Sequence, residues 1–414
     1  AIDINKSNNF PEKKVTYQNT MKQLSEITTK FTESVIREMT RISSARGGIN
    51  LAQGFPDFDP PQIIRQAAID AIQQGWNQYA VTFGEADLRE AIAQKALQYN
   101  RIECDPHTEV TVTCGATEAM IATLKALVNP GDEIIIFEPF YENYGPDAIL
   151  SGARPRYVTL RSPDWSYDSK ELTAAFNKNT KAIIINTPNN PTGKVFSRKE
   201  LEEIGHLCIQ WDVMAITDEI YEHILYDQET HISMAALEGM AQRTVTINSL
   251  SKTYSVTGWR VGWAIANADI TSRIRKVHDF LTVGAPTPFQ KAGVCALNMP
   301  GEYYTTLQKR YEKARNRVCT VLKAVGFHIE APKGAYYIMA QTGALMDGHK
   351  EAGVDSFSLK LLDITGIATV PGTAFYHSPA MGHDQVRFCF AKNDRTIQDV
   401  CRRLERLMPF SLKK

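Results

Sequence analysis

The sequence predicts an α/β fold with a large, mostly parallel sheet domain and a smaller α+β domain. Between residues 110 and 249, short apolar runs rich in β-branched residues alternate with helical segments. Continuous apolar strands of this kind are typical of a parallel sheet that helices cover on both faces. Beyond Pro300 the pattern changes to one long amphipathic segment followed by shorter strands. The length of 414 residues also favours two domains over one.

The individual elements follow from hydrophobic spacing and from the turn residues between them. The expected strands are VTVT (110–113), EIIIF (133–137), KAIIIN (181–186), VMAITD (213–218), RTVTINS (243–249), AYYIMA (335–340) and QVRFCFA (385–391). The expected helices are TESVIREMTRIS (32–43), TEAMIATLKALV (117–128), SRKELEEIGHLCIQW (197–211), a long one from about Tyr303 to Val325, and TIQDVCRRLERL (396–407). We expect residues 1–64 to form an N-terminal arm and part of the small domain, residues 65–300 the large domain, and residues 301–414 the small C-terminal domain.

The composition excludes several classes of function. Forty-six basic residues balance forty-six acidic ones, so the charge gives no reason to expect a nucleic-acid partner. The apolar runs are too short to span a membrane, and the N-terminus lacks the apolar core of a signal peptide. Seven cysteines without a C-x-x-C pair argue against a disulfide framework or a zinc site. We therefore expect a cytoplasmic protein whose partners are small molecules or other proteins.

Polar residues follow three of the predicted strands, at the sheet edge where α/β proteins bind ligands. Asp218 ends VMAITD, and a buried carboxylate there needs a cation or several hydrogen-bond donors; the alternative is a helix N-cap. Asn190 lies in TPNNPTG, which is either a ligand-contacting loop or a plain turn. The stretch 113–117, TCGAT, joins a strand to a helix through Gly115, and such a helix N-terminus binds phosphate unless it is a simple junction.

Three cations, Lys252, Arg260 and Arg387, complete the candidate site. Lys252 follows a strand and the hydroxyl residue Ser249, with Arg260 eight residues on. A lysine that is desolvated near another cation has a lowered pKa and becomes a usable amine nucleophile or base. Arg387 alternates with the apolar residues of QVRFCFA and so points to the opposite face of its strand. It is either a surface ion-pair partner or a bidentate clamp for a carboxylate.

The stretch SLSKTYSVTGWRVG (249–262) resembles the pyridoxal-phosphate lysine signature of class I and II aminotransferases, in the aspartate aminotransferase superfamily. NNPTG, DEIYEH and VRFCF stand in the expected order around it, and the likeness extends from Asn50 onward. AQGFPDFDPP, EPFYENY and TPNNPTG are most similar to the glutamine/kynurenine and methionine aminotransferase groups. The resemblance implies the pyridoxal-phosphate-dependent transferase fold, amino acid and 2-oxo acid substrates, and a homodimer with shared active sites.

The resemblance also implies residue roles around pyridoxal 5'-phosphate. Lys252 would hold the cofactor as a Schiff base and move the substrate proton, and Asp218 would pair with the pyridine nitrogen. The residues implied for the phenolic oxygen are Tyr221 and Asn190, and Tyr141 would stack on the ring. The residues implied for the phosphate are Gly115, Ala116, Thr117, Ser249, Arg260 and, from the partner subunit, Tyr79. The residues implied for the substrate carboxylate are Arg387, Gly54 and Asn190.

The substrate preference is predicted from departures from the family pattern. Thr117 stands where aspartate-preferring relatives carry lysine and kynurenine enzymes carry an aromatic residue. Ile36, Val283 and Gly284 likewise offer small or apolar surfaces instead of aromatic walls or a cation. We therefore expect a neutral amino donor such as methionine, glutamine or an aromatic amino acid, unless a cation such as Arg37 enters the pocket.

Other activities remain open at this stage. A cysteine-conjugate β-lyase would use the same cofactor residues, and an aspartate aminotransferase is a further alternative. LTVGAPTPFQ also resembles N-succinyl-diaminopimelate aminotransferases. A transcription regulator with an aminotransferase-like domain is disfavoured, because the fifty residues before NLAQGF are not strongly basic.

Overall fold

A computed structural model describes residues 24–346, 353–378 and 380–408. Residues up to Thr32 belong to a separate short unit, and the chain from Glu33 onward forms the other. The described part of the short unit holds one 3₁₀ turn, Glu26–Lys30, where the Thr28 hydroxyl donates to the Ser25 carbonyl at 2.8 Å. The first twenty-three residues of the predicted N-terminal arm lie outside the described residues.

The larger unit is built on a seven-stranded sheet in the order β2-β8-β7-β6-β5-β3-β4. Its strands are β2 (Val110–Thr113), β3 (Glu133–Glu138), β4 (Arg154–Thr159), β5 (Thr180–Asn186), β6 (Met214–Asp218), β7 (Thr244–Ser249) and β8 (Gly262–Ile265). β8 pairs antiparallel with both of its neighbours, and the other pairs are parallel. The predicted mostly parallel sheet is therefore confirmed.

Two strands of this sheet escaped the sequence analysis. β4 is an edge strand whose residues are mostly half-buried or exposed, so it lacks the continuous apolar run of a central strand. β8 has only four residues and starts at a glycine, so its hydrophobic pattern is too short to predict a strand.

Both faces of the sheet are buried, which explains the continuous apolar strands. Ile134 and Ile136 of β3 pack into one core cluster, whereas Ile135 and Phe137 pack into another on the opposite face. Helices α4, α5 and α8 contribute to the first cluster, and α1, α6 and α7 contribute to the second. Their bounds are α1 (Val35–Ala45), α4 (Ala116–Leu127), α5 (Tyr144–Leu150), α6 (Ser169–Ala175), α7 (Arg198–Trp211) and α8 (Ala268–Leu281).

The C-terminal third adds two small sheets. β11 (Val370–Pro371), β12 (Gln385–Cys389) and β9 (Tyr337–Gln341) form an antiparallel sheet in that order, and β1 (Ile49–Asn50) pairs parallel with β10 (Ile367–Ala368). The pairing of β1 with β10 joins the segment near residue 50 to this region. The division into domains at residues 64 and 300 stays a prediction.

The remaining helices complete the fold. They are α2 (Gln62–Gln73), α3 (Ala86–Lys95), α9 (Thr287–Leu297), α10 (Gly301–Ala324), α11 (Gly353–Thr365) and α12 (Asp394–Leu404). The predicted long helix from Tyr303 to Val325 thus starts two residues earlier and ends one residue earlier in the structure. Among the described residues, none of the helices combines the length and apolar character that a membrane span requires.

Candidate active site

One cavity of about 490 Å³ opens at the carboxyl ends of β5, β6 and β7. The N-terminus of α4 and the middle of β12 also contribute to its wall. The predicted site residues that line it are Gly54, Ala116, Thr117, Tyr141, Asn190, Asp218, Tyr221, Ser249, Lys252, Arg260 and Arg387. The fold therefore brings together residues that span more than 300 positions of the chain.

Lys252 lies in the loop that follows β7. Its side chain is half-buried, and Nζ donates a hydrogen bond to the Gly54 carbonyl at 3.0 Å. Burial lowers the pKa of Lys252 to about 8, and the positive charge of Arg260 acts in the same direction. A substantial fraction of the amine is therefore unprotonated near neutral pH and available as a nucleophile or base.

Asp218 ends β6 and is almost fully buried. The Tyr144 hydroxyl donates to its Oδ2 at 2.6 Å. Burial raises the pKa of Asp218 to about 6, although the hydrogen bond from Tyr144 opposes this shift. The helix N-cap alternative is wrong, because the residues after Asp218 form turns. A buried carboxyl with a raised pKa can bind a cationic ring nitrogen.

Tyr221 and Asn190 flank the same space from neighbouring strand ends. The Tyr221 hydroxyl lies 3.0 Å from the Tyr337 hydroxyl, and burial raises the pKa of Tyr221 well above its usual range. The backbone N–H of Asn190 donates to Asn186 Oδ1 at 2.7 Å, so the loop after β5 is fixed at the sheet edge. Both side chains can hydrogen-bond an oxygen of a ligand in the cavity.

Arg387 lies fully buried in the centre of β12. Nη1 donates to Asn190 Oδ1 at 2.7 Å, and Nη2 donates to the Ala52 carbonyl. The guanidinium also lies over the Tyr337 and Phe375 rings at 4.4 and 4.8 Å. Its Nε has no hydrogen-bond partner among the described residues. The surface ion-pair alternative is therefore wrong, and the buried guanidinium is suited to an incoming carboxylate.

The backbone at Gly54 closes the space beside Arg387. A Cβ atom at this position would lie 1.8 Å from the Tyr337 hydroxyl oxygen, so any side chain would displace that tyrosine. The Gly54 carbonyl also accepts a hydrogen bond from Tyr336 at 3.0 Å. Glycine is therefore required for the close approach of this loop to the cavity.

The other end of the cavity is suited to an anion. α4 begins at Ala116, after Gly115, which has a φ of 81°. A Cβ atom on Gly115 would lie 2.3 Å from Arg260 Nη2, so the glycine allows the guanidinium to approach the helix N-terminus. Arg260 donates to the Thr257 carbonyl at 3.0 Å. Free N–H groups, the helix dipole and a guanidinium are together suited to binding a phosphate, and Ser249 lies in the same cavity lining.

A third part of the cavity wall comes from the start of α1. The Ser34 hydroxyl donates to the Glu142 carboxylate, and Ser34 Oγ accepts the backbone N–H of Arg37 at 3.2 Å as the helix N-cap. Ile36 and Arg37 both line the cavity. Arg37, which the prediction of a neutral amino donor named as the exception, thus supplies a cation to the cavity wall.

Of the remaining predicted wall residues, one lines the cavity and two lie elsewhere in the described chain. Thr117 lines the cavity, whereas Val283 and Gly284 lie outside its lining. Gly115 also lies outside the lining, although it shapes the approach of Arg260. Tyr79 is 88% exposed and lies outside the lining as well, so its role toward a partner subunit stays a prediction.

Tyr144, Asn186 and Tyr337 are among the cavity residues that the sequence analysis missed. Tyr144 follows Tyr141 by three residues, at the start of α5, and its place in the EPFYENY stretch is a signal that could have revealed it. Asn186 is a polar residue at the end of a buried strand, the same signal that revealed Asp218. Tyr337 lies in AYYIMA among aromatic and apolar residues, and its pattern offers no comparable signal.

Comparison with known proteins gives consistent matches over nearly the whole chain. The family of class I and II aminotransferases matches residues 46–404. The probable N-succinyldiaminopimelate aminotransferase DapC of Mycobacterium tuberculosis is 37% identical over 386 residues, which cover 90% of this chain and 96% of that protein. Human kynurenine–oxoglutarate transaminase 1 is 35% identical over 398 residues, which cover 89% of this chain and 94% of that protein.

A solved structure supports the same relationship. The Escherichia coli protein YbdL, described as a methionine aminotransferase, superposes with a TM-score of 0.87 at 33% identity, covering 92% of this chain and 99% of that chain. The family that the lysine signature indicates is therefore confirmed, and so is the predicted fold.

Proposed function

Because the chain belongs to the class I and II aminotransferases, which are pyridoxal-phosphate-dependent transaminases, we propose that it transfers the amino group of an L-amino acid to a 2-oxo acid in the cavity described above. The observation that carries this proposal is the convergence of Lys252, Asp218 and Arg387 on one cavity with a helix N-terminus. Nucleophile, ring-nitrogen partner and carboxylate clamp are the groups that this chemistry requires.

The residues of the cavity fit pyridoxal 5'-phosphate. When bound, the cofactor supplies a ring that accepts electrons from the substrate Cα, so that the Cα proton becomes acidic. The raised pKa of Asp218 supports its pairing with a ring nitrogen, and Tyr141 is suited to stacking on the ring. The residues proposed for the phenolic oxygen are Tyr221 and Asn190. The residues proposed for the phosphate are Gly115, Ala116, Thr117, Ser249 and Arg260.

Lys252 is proposed to act both as the attachment point and as the base. Its pKa of about 8 supports this assignment, because a free amine then exists near neutral pH. Once the amine is released, Nζ would take the proton from the substrate Cα and deliver it to the cofactor carbon that receives the amino group. The half-buried environment limits exchange of that proton with bulk water.

Arg387 is proposed to hold the α-carboxylate of both substrates. Two parallel hydrogen bonds from one guanidinium fix the orientation of a carboxylate, and thus of the Cα–H bond. The neighbouring Asn190 and the Gly54 backbone would complete this subsite. The absence of a bonded partner for Nε among the described residues supports the assignment.

Arg37 and Ile36 favour different side chains on the amino donor and on the 2-oxo acid acceptor. The apolar surface of Ile36 favours a neutral amino donor, whereas a cation in the wall favours a second carboxylate. We propose a neutral donor together with a dicarboxylic 2-oxo acid as the amino acceptor, whose distal carboxylate would lie near Arg37. Arg37 equally favours the second candidate function, an aminotransferase for aspartate or N-succinyl-diaminopimelate.

A screen of amino donors against several 2-oxo acids tests the proposed reaction. We expect methionine, glutamine or aromatic donors to exceed aspartate by at least about tenfold in kcat/KM, which needs about 1.4 kcal/mol. Aspartate equal to or better than methionine would favour the second candidate. Release of pyruvate from a cysteine conjugate without a 2-oxo acid would reveal the β-lyase.

We further propose a homodimer with shared active sites, in which Tyr79 reaches the phosphate bound by the partner subunit. Its high exposure supports this, as does that of the nearby residue Val81 and of Phe280, which is 92% exposed. Mixing inactive Lys252→Ala with a Tyr79→Ala variant that binds cofactor weakly should restore activity through hybrid dimers. A fully active monomer by light scattering would contradict the proposal.

The cytoplasm is the proposed location. All seven cysteines are free thiols in the structure, as is usual for proteins of reducing compartments. Fractionation of the producing cells, followed by an activity assay of each fraction, tests this proposal.

A further inference from the structure

The turn after β6 has two sides with different surroundings. Its sequence is DEIYEH, and Asp218 and Tyr221 line the cavity. Glu219 and Glu222 are also buried, at 0% and 2% exposure, but they lie outside the cavity lining. Two carboxylates without exposure would destabilise the fold unless each is paired and hydrogen-bonded.

Glu219 is satisfied by four side chains, of which Asn100 donates through Nδ2 to Oε2 at 3.4 Å. Its Oε2 accepts a hydrogen bond from the Ser233 hydroxyl at 2.6 Å and lies 2.7 Å from His231 Nε2. Its Oε1 accepts the Thr217 hydroxyl at 2.9 Å. The hydrogen bonds of Glu219 therefore fix the end of β6, where Asp218 lies.

Glu222 is satisfied by residues at the end of α3. Lys95 Nζ donates to its Oε1, and Asn100 Nδ2 donates to its Oε2 at 2.7 Å. Asn100 also accepts a hydrogen bond from Lys95 at 2.8 Å and lies 2.8 Å from Ser233 Oγ. Burial raises the pKa of Glu222, but the charges of Lys95, His223 and His231 outweigh it and lower the pKa to about 2.

These contacts form one buried network, which we call the rear cluster. Its members are Lys95, Asn100, Glu219, Glu222, His231 and Ser233. The two glutamates and the histidine have the composition of a metal site. The Lys95 ammonium already supplies the positive charge that a metal ion would supply there, and a second cation would be repelled.

An irregular helical turn makes the rear cluster possible. Lys95 and Asn100 are five residues apart, and an α-helix would direct them about 140° from each other. The chain instead forms a π-helical turn over Ala96–Asn100, which ends at Arg101 with a φ of 62°. A π turn brings residues five apart to one side, and such turns are frequent at functional sites.

A second set of contacts connects the rear cluster to the loop of Lys252. The rings of Tyr99 and His223 lie 4.0 Å apart, and those of His223 and Tyr304 lie 4.3 Å apart. The Tyr304 hydroxyl lies 2.8 Å from the hydroxyl of Tyr254, two residues after Lys252. The same buried region therefore supports both loops that carry the proposed catalytic groups.

We propose that the rear cluster is a positioning device that holds Asp218 and Tyr221 at the geometry the cofactor requires. The inference rests on the proposed function. Glu219 and Glu222 alternate along the turn with the two cavity residues, so a shift of either glutamate moves Asp218 or Tyr221 with it. Site geometry must be held within about 0.5 Å, which requires support from behind the contacting residues. None of the six residues lines the cavity, so they act through the turn.

Three variants of the complete, cofactor-loaded protein test this inference. They are Lys95→Met, Glu222→Gln and the double variant. The double variant removes both charges of the pair, so that neither charge is left buried without its partner. We expect each to retain cofactor that borohydride traps at Lys252. The pH midpoint of the visible absorbance of the bound cofactor should shift by at least about 0.5 unit, since Tyr221 and Asp218 set its protonation. We expect kcat to fall about tenfold while KM changes less than about twofold.

Arg315→Met is the matched control. Arg315 is also a buried cation, paired with Asp227 at 2.7 and 2.8 Å, and both residues lie outside the cavity lining. We expect its removal to reduce stability without changing the absorbance midpoint. An unchanged midpoint and kcat in Lys95→Met and in the double variant would overturn the inference, and so would an equal shift in Arg315→Met. A wild-type protein without any trapped cofactor would overturn the proposed function, and this inference with it.

Discussion

The two ends of the cavity are built in different ways. The cofactor end consists of Asp218, Ser249 and Lys252, which follow buried strands and are buried or half-buried themselves. The entry end consists of Ser34, Arg37 and Glu142, which are half-buried or exposed and belong to α1 and a loop. Charges at the cofactor end are poorly screened and have shifted pKa values, whereas an exposed cation at the entry end is screened by water. We therefore expect the chemistry to depend on the buried end and the choice of substrate to depend on the exposed one.

The largest effect is expected from removing the amine at the cofactor end. Lys252→Ala should lower kcat by at least about 10⁴-fold, because attachment and proton transfer are both lost. Borohydride trapping followed by peptide mapping should find no adduct in this variant. Lys313→Ala, which removes an exposed lysine paired with Asp394, should retain wild-type activity. A covalent adduct at another lysine in Lys252→Ala would contradict the assignment.

Asp218→Asn tests the second charge at the cofactor end. An amide cannot hold the charge of a protonated ring nitrogen, so we expect kcat to fall on the order of a hundredfold or more while cofactor remains bound. Asp218→Glu keeps the charge and should recover part of the loss. Near wild-type transamination in Asp218→Asn, measured at saturating cofactor, would show that the carboxylate does not stabilise the ring.

The pH dependence of stability should also distinguish the two ends. In the cofactor-free protein the pKa of Asp218 is raised from 3.8 to about 6, so its contribution to stability is present at low pH and lost as the pH rises through about 6. The expected loss is about 3 kcal/mol. Urea unfolding at pH 4 and pH 7 should show this loss in the wild type relative to Asp218→Asn. Equal pH dependence in both proteins would contradict the burial of an unpaired carboxylate.

The opposite sign is expected for Lys252. Its pKa is lowered from 10.5 to about 8, so the stability it contributes is present at high pH and lost as the pH falls through about 8. Cofactor attached to the amine should remove this pH dependence of stability. Urea unfolding of the protein with and without cofactor therefore gives a second check.

The smallest effect is expected at the entry end. Arg37→Gln should lower kcat/KM for a dicarboxylic 2-oxo acid about threefold to tenfold, since an exposed charge pair contributes about 1 kcal/mol. The value for methionine should change less than about twofold. Arg41→Gln is the control, because Arg41 is one turn further along α1 and pairs with Glu33. Equal effects of the two variants on both substrates would remove Arg37 from the pocket.

The sequence by itself determined five of the seven strands of the large sheet and the residues expected at the cofactor end. A strand that is buried on both faces has a continuous apolar run, as in EIIIF and KAIIIN. Such a run can be recognised from the sequence alone. A polar residue directly after such a strand, such as Asp218, then stands out because its burial requires a partner. The lysine signature around Lys252 added the family, which the comparisons confirm.

Only the tertiary structure decided which distant side chains meet at the site. Tyr337 contacts Tyr221 from 116 positions away, and Lys95 reaches Glu222 across 127 positions. Such contacts depend on how helices and sheets pack, and hydrophobic periodicity carries no information about them. In the sequence, Arg37 is one of several arginines on or near an amphipathic helix. Its position in the cavity wall depends on the orientation of α1 in the folded chain. The buried pairing of charges across separate elements is thus a property of the packed chain, since each charge finds its partner only when both are removed from water.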